Sequence, residues 1–228
     1  MPGPIIAIDG PSGSGKSSTS RGVARRLGLR YVDTGAMYRA MTWWMLANGV
    51  DVDDPAAVAA RCGEPVIELR DDPANPGVSV DGRDVSLDIR EGSVADAVSR
   101  VAAVPQVRER LIVSQRSMVD DAWAAGSGVV MEGRDIGTVV LPDADLKIYL
   151  TADVEARAAR RALEESERSG RGSVASAQAN LESRDALDTT RTVSPLQQAD
   201  DAIAIDGTHL SLDEVIDAVI RALPADAQ

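Results

Sequence analysis

The sequence predicts an α/β fold with a three-layer core on a five-stranded parallel sheet, a small antiparallel-sheet subdomain inserted into it, and a helical lid. Three observations predict it. Short apolar runs alternate with helical stretches at both ends of the chain. The first run leads directly into a glycine-rich turn and then a helix. Between about residues 50 and 103 the alternation breaks down into short strands with no crossover helix between them, which must therefore pair antiparallel. With 228 residues the chain makes one domain with an insertion and buries about 70–75% of its unfolded surface. The expected division is a core of 1–49, 104–152 and 187–228, an insert of about 50–103 and a lid of about 153–186.

Ile5-Ile6-Ala7-Ile8 reads as a buried strand ending at Asp9. Gly10-Pro11-Ser12-Gly13-Ser14-Gly15-Lys16-Ser17 then fits G-x-x-x-x-G-K-[ST], the phosphate-binding P-loop. The glycines let backbone N–H groups wrap a phosphate, and Lys16 adds a point charge for the β- and γ-phosphates. The Ser17 hydroxyl suits Mg²⁺, with Ser18 beside it, and a helix opening near Lys16 adds the positive end of its dipole. The bland alternative is a glycine-rich turn with a solvated lysine. Against it stand the strand before, the helix Ser18–Leu27 after, and the composition: two lysines, Lys16 and Lys147, against twenty-two arginines.

Arg30–Asp33 reads as the second strand, and Thr34 as the N-cap of a helix to about Asn48, stopped by Gly49. Met37, Met41, Trp44 and Met45 share one face of that helix and read as core. Asp54–Arg61 reads as a helix. Val66–Leu69, Val78–Val80 and Val85–Leu87 read as the insert's strands, the last two about Asp81-Gly82. Helices follow at Ser93–Ala103 and Pro105–Ala124, then a strand Gly128–Glu132 and another at Asp145–Leu150. A helix from about Val154 to Arg168, a break at Ser169-Gly170-Arg171-Gly172-Ser173 and a helix Ser176–Leu187 make the lid. Ala202–Ile205 is the last strand and Ser211–Leu223 the last helix, with a frayed tail at Pro224–Gln228.

Charge and composition narrow the function. A net charge of −12 argues against a nucleic-acid or membrane-surface partner. One cysteine, Cys62, excludes an intrachain disulfide, and the lone histidine, His209, reads as a surface residue, so Ser-His-Asp and zinc chemistry have little support. No signal peptide precedes the first strand and no apolar run spans a bilayer, so a cytoplasmic protein, monomeric by default, is expected.

A P-loop specifies nucleotide binding rather than a reaction. Asn-Lys-x-Asp, which reads guanine, is absent, and so is the Gly-Gly pair of a shikimate-type acceptor site. A kinase with a small acceptor remains. It must bring two polyanions together with cations from both sides and close over them. Arg157, Arg160 and Arg161 lie at i, i+3 and i+4 on one helix face and suit a lid. Their alternative is a solvated face with Arg160–Glu164 and Arg161–Glu165 pairs. Asp9, Asp33 and Glu132 each close a strand at the sheet's C-terminal edge. Asp33 and Glu132 are candidates to reach a Mg²⁺ through water, and strand capping is their alternative.

Several segments together resemble the bacterial cytidylate kinases, of the nucleoside monophosphate kinase group. These are Ile8 to Lys16, Asp33-Thr34-Gly35-Ala36-Met37-Tyr38-Arg39, Ser99-Arg100-Val101-Ala102, Val107-Arg108, Gly133-Arg134-Asp135-Ile136-Gly137-Thr138-Val139-Val140, and Arg184-Asp185 through Arg191. The resemblance covers nearly the whole chain and implies transfer of the γ-phosphoryl of ATP, with Mg²⁺, to CMP and dCMP. It implies that Arg39, Arg134 and Arg191 hold the acceptor phosphate. Ser99, Arg108 and Asp135 would read cytosine, with Thr34 and Tyr38 near the same edge, and Arg184 and Asp188 would meet the ribose. Arg157 and Arg161 would close on ATP, and Lys16, Arg134, Arg191, Arg157 and Arg161 would be the catalytic cations. Thr34 departs from the serine usual in the family, adding a methyl at the base site. A kinase for UMP or dTMP, and a nucleotide-sensing module without turnover, are the alternatives this reading leaves.

Overall fold

The computed structural model describes residues 3–169 and 173–224, apart from the side chains of residues 164, 165 and 167–169. Residues 170–172 of the expected break, the Arg160–Glu164 and Arg161–Glu165 pairs and the tail beyond 224 fall outside that description; Ser169 ends one helix and Ser173 caps the next. Five strands form one parallel sheet: β1 (Ile5–Asp9), β2 (Arg30–Asp33), β6 (Val129–Gly133), β7 (Leu146–Thr151) and β8 (Ile203–Asp206), in the order β2-β6-β1-β7-β8. The register sets Asp9 opposite Gly133 and Asp33 opposite Glu132, so the strand-closing carboxylates share one edge.

The apolar runs explain the layering, because successive residues of a strand face opposite sides. Ile6 and Ile8 of β1 pack with Val23 and Ala24 of α1 (Lys16–Leu27) and with Val215, Ile216 and Val219 of α8 (Leu212–Arg221). Ala7 between them faces Met131, and on that side Val119 and Ala122 of α5 (Pro105–Ala124) cover the sheet. Gly10 leaves β1 hard against the neighbouring strand: a Cβ there would stand 2.1 Å from the Leu150 carbonyl oxygen. Gly10→Ala is therefore expected to cost about 2 kcal/mol and to lower Tm by roughly 4–8 °C. An unchanged thermal melt would refute that packing.

Between α2 (Thr34–Ala47) and α5 lie α3 (Pro55–Arg61), a three-stranded antiparallel sheet of β3 (Ile67–Arg70), β4 (Gly77–Val80) and β5 (Arg83–Asp84), and α4 (Gly92–Ala102). Met37, Met41, Trp44 and Met45 do form core, with Val78, Val80 and Val85 of this region. Two expectations are corrected here. The third strand is Arg83–Asp84, not Val85–Leu87, because Asp81 and Gly82 both take positive φ and make a two-residue turn that pairs Val80 directly with Arg83. Val85 instead enters the core and Leu87 is exposed. The N-cap of α2 is Asp33 rather than Thr34. The strand runs into the helix without a loop, and the Asp33 side chain accepts from the Ala36 N–H. Thr34 donates its hydroxyl to the Glu132 carbonyl at 2.7 Å, tying α2 to β6.

The last two helices before β8, α6 (Val154–Ser169) and α7 (Val174–Thr190), form a hairpin with its own small core of Ala158, Ala162, Ala177 and Leu181. It sits directly on the P-loop. A Cβ on Gly13 would meet Arg157 Cβ at 3.3 Å and Leu181 Cδ2 at 3.4 Å. Among the described residues no helix is long and apolar enough to cross a membrane.

Candidate active site

The C-terminal edge of the parallel sheet opens into a cleft of about 910 Å³. At its floor the P-loop turns on positive φ at Gly13 and Gly15 and enters α1. Ser12 through Ser18 line the cleft. Lys16 is buried, its ammonium donating to the Pro11 carbonyl at 2.7 Å. Burial, with Arg134 nearby, holds its pKa well below that of an ordinary lysine, although Glu132, Asp9 and Asp185 oppose the shift. A polyphosphate in the loop would reverse that deficit.

The three strand-end carboxylates turn out to differ. Asp9 is spent on structure: it accepts from the Ile136 and Gly137 N–H groups at 2.9 and 2.7 Å, anchoring the wide turn Ile136–Val140 that follows β6. Burial outweighs those donors and pushes its carboxyl up to about 6. Asp33 caps α2 with one oxygen and pairs with Arg39 Nη2 through the other at 2.9 Å. Glu132 accepts from the Tyr31 hydroxyl, and the Ser17 hydroxyl lies against it. Burial and the neighbouring Asp33 raise Glu132 to about 6.

The same cleft gathers arginines. Arg134 Nε pairs with Asp188 at 2.9 Å, and Arg191 stands 3.8 Å from both Asp188 and Asp135. Burial first, then repulsion from Arg134 and Arg39, with Arg161 adding to it, lowers Arg184 to about 10. Burial and Arg108 likewise depress Arg191. Such a cluster, in a chain of net charge −12, is a ready-made anion site. Deeper still, Arg108 Nη2 and Asp135 Oδ2 form an ion pair with both side chains no more than 5% exposed. The Arg108 guanidinium lies 5.3 Å from the centre of the Tyr38 ring.

All the expected site residues reach this cleft except three. Thr34, Tyr38, Arg39, Ser99, Arg108, Arg134, Asp135, Arg184, Asp188 and Arg191 line it, and so do Asp33, Glu132 and Arg161. Gly10, Pro11 and Arg157 do not. The guanidinium of Arg157, the other lid arginine expected to close on ATP, donates to the Ser12 and Ala152 carbonyls at 3.0 Å and pairs with Asp185. Arg160 also seats on the core, donating to the Gly207 carbonyl at 2.6 Å. Sequence reasoning missed Tyr31 and Asp185. Tyr31 looked like an ordinary strand residue, and only its place two strands' width from β1, beside Glu132, reveals it.

A P-loop on a five-stranded parallel sheet, capped by a helical hairpin and faced by clustered arginines, defines a phosphoryl-transfer protein of the P-loop kinase class. Sequence comparison narrows the class. The pattern of the family described as cytidylate kinase matches residues 6–225. The chain is 54% identical over 220 residues to a cytidylate kinase of Streptomyces avermitilis, covering 96% of this chain and 92% of that protein. It is 56% identical over 217 residues to one of Streptomyces griseus, covering 95% and 90%. The chain belongs to the cytidylate kinase family. Its likeness to a solved shikimate kinase from Acinetobacter baumannii is far weaker, at 13% identity and a TM-score of 0.45 over 96% of this chain and 91% of that one.

Proposed function

We propose that this protein transfers the γ-phosphoryl group of ATP to CMP and dCMP, giving CDP and dCDP. Family membership supports the reaction class, and one observation carries the acceptor: the buried Arg108–Asp135 pair in the cleft. Cytosine presents an exocyclic amine beside ring-nitrogen and carbonyl acceptors. A carboxylate next to a guanidinium matches that pattern. Uracil offers no amine to Asp135.

The other arginines of the cleft would take the phosphates. Arg39, Arg134 and Arg191 hold the acceptor phosphate, and Arg184 and Asp188 meet the ribose. An acceptor phosphate oxygen attacks the γ-phosphorus in line, and the bond to the β,γ-bridging oxygen breaks, leaving ADP with that electron pair. No side chain need act as base, because the acceptor phosphate is already an anion. Catalysis is positioning plus neutralisation of charge by Lys16, Arg134, Arg191 and Arg161. The lid hairpin keeps water out while the two substrates react.

The metal expected with ATP fits the residues present. A nucleotide-bound Mg²⁺ needs few protein oxygens, the rest coming from phosphate and water. Among the described residues no cluster of three or more His, Cys, Asp or Glu could hold a metal by itself. Ser17 is exposed at the loop, with Glu132 beside it and Asp33 opposite Glu132 on the neighbouring strand. Ser17 would hold the ion directly, Glu132 and Asp33 through water, and the ion would supply charge neutralisation at the β- and γ-phosphate oxygens.

We place the inserted subdomain at about residues 50–103, the lid at about 153–186, and the protein in the cytoplasm as a monomer acting on small molecules rather than nucleic acid or membrane. The test is ADP release from MgATP with CMP, dCMP, UMP, AMP and dTMP supplied separately. Fast turnover is expected with CMP and dCMP. Turnover with UMP or dTMP instead would overturn the base-reading pair, and ATP binding without turnover of any acceptor would favour a nucleotide-sensing module.

A further inference from the structure

We infer that Asp185 is a positioning residue for Lys16, acting through the single peptide unit that joins Pro11 to Ser12. This inference rests on the kinase reading above. The path is short and continuous. Asp185 Oδ1 accepts from the Ser12 N–H at 3.0 Å. The carbonyl on the other side of that same peptide, Pro11 O, accepts from Lys16 Nζ at 2.7 Å. The next carbonyl, Ser12 O, accepts from Arg157 Nη1 at 3.0 Å, and Arg157 pairs with the second oxygen of Asp185.

One carboxylate thus holds the first turn of the P-loop from both sides, directly through an N–H and indirectly through Arg157. Its side chain is 19% exposed and that of Arg157 10%. The carboxylate and the guanidinium come from different helices of the hairpin, α7 and α6, and both helices also touch Gly13. Seating the hairpin on the loop therefore completes the support of the peptide that carries Lys16. Lifting the hairpin removes it. A peptide dipole lying between a carboxylate and an ammonium is polarised by both, which strengthens the two hydrogen bonds together. Asp185 also adjoins Arg184 in α7, so the helix facing the acceptor is the one that braces the donor loop.

The test compares wild-type protein with Asp185→Ala and Asp185→Asn. The readouts are kcat with saturating CMP, the CMP Kd without ATP from calorimetry, and the thermal melt. Asp185→Ala is expected to lower kcat about 10- to 100-fold, the scale of a slight misplacement of a catalytic group, with the CMP Kd within about 2-fold of wild type. Asp185→Asn keeps an acceptor for the Ser12 N–H and the shape of the side chain, so it folds as wild type and recovers part of the lost kcat. A CMP Kd that weakens as much as kcat falls would overturn the inference, because Asp185 would then act by placing Arg184 and Asp188. An Asp185→Ala enzyme with kcat near wild type at temperatures below its melt would overturn it too. Wild-type protein that turns over no CMP sinks the kinase reading instead, which separates the two failures.

Discussion

Lys16→Ala is expected to lower kcat by about 10³-fold or more, the scale on which a single transition-state cation acts in phosphoryl transfer, while the fold survives. The argument starts from burial. Lys16 is 6% exposed, and its ammonium is satisfied within its own loop, by the Pro11 carbonyl at 2.7 Å and the Ser14 hydroxyl at 3.5 Å. Burial already disfavours its charge in the ligand-free protein. Truncation therefore removes a cation whose burial is itself unfavourable, and the remaining Pro11 carbonyl is an acceptor next to the open cleft. The loss falls on the reaction, where charge on the γ-phosphoryl oxygens grows with no other cation on the donor side inside the loop itself. Steady-state kinetics with MgATP and CMP, set beside a thermal melt, separate the two effects. A variant with near-normal turnover would falsify the assignment of Lys16.

Asp135→Ala should produce the second largest effect and should act on both selectivity and stability. Asp135 is the buried partner of Arg108 and stands 3.8 Å from Arg191, so its removal leaves guanidinium charge buried without a counter-ion. Breaking a buried pair in that way costs about 3 kcal/mol, or roughly 6–12 °C in Tm for a chain of this size. Selectivity should fall by about 10- to 100-fold in the ratio of kcat/KM for CMP over UMP, the worth of one good base-edge contact. Assays run well below the lowered Tm keep the two apart. Asp135→Asn is the informative companion, since it preserves the shape and offers an amide in place of the charge. If the CMP-to-UMP ratio is unchanged in both variants, the cytosine-reading role of the pair fails, whatever happens to Tm.

These two sites were unequally legible. The P-loop could be read from eight consecutive residues, and its glycines have the positive φ that such a loop requires at Gly13 and Gly15. The apolar runs mark β1, β6 and β7, because a strand buried on both faces has a recognisable composition, while β2 and the largely exposed β8 are legible through their alternation with helices. The residues flanking those runs were harder. The hairpin turn at Asp81-Gly82 is visible in the sequence, yet the apolar pattern puts the strand after it two residues late. The ladder there uses exposed Arg83 and Asp84, and no apolar signal marks them. Thr34 and Asp33 are both good capping residues; the abrupt passage from β2 to α2 decided for the earlier one.

The acceptor end of the cleft could be approached from sequence only through family resemblance. Arg108 and Asp135 lie 27 positions apart, on α5 and just beyond β6, and nothing in their local sequence pairs them. The Asp185 contact to Ser12 spans 173 positions. Local spacing settles loop geometry, strand and helix type, and the presence of a phosphate site, since those depend on neighbours along the chain. Which buried charges become partners depends on the strand order and on where the helical hairpin lands. The cost of burying a charge then forces each one onto whatever counter-ion the fold has brought beside it.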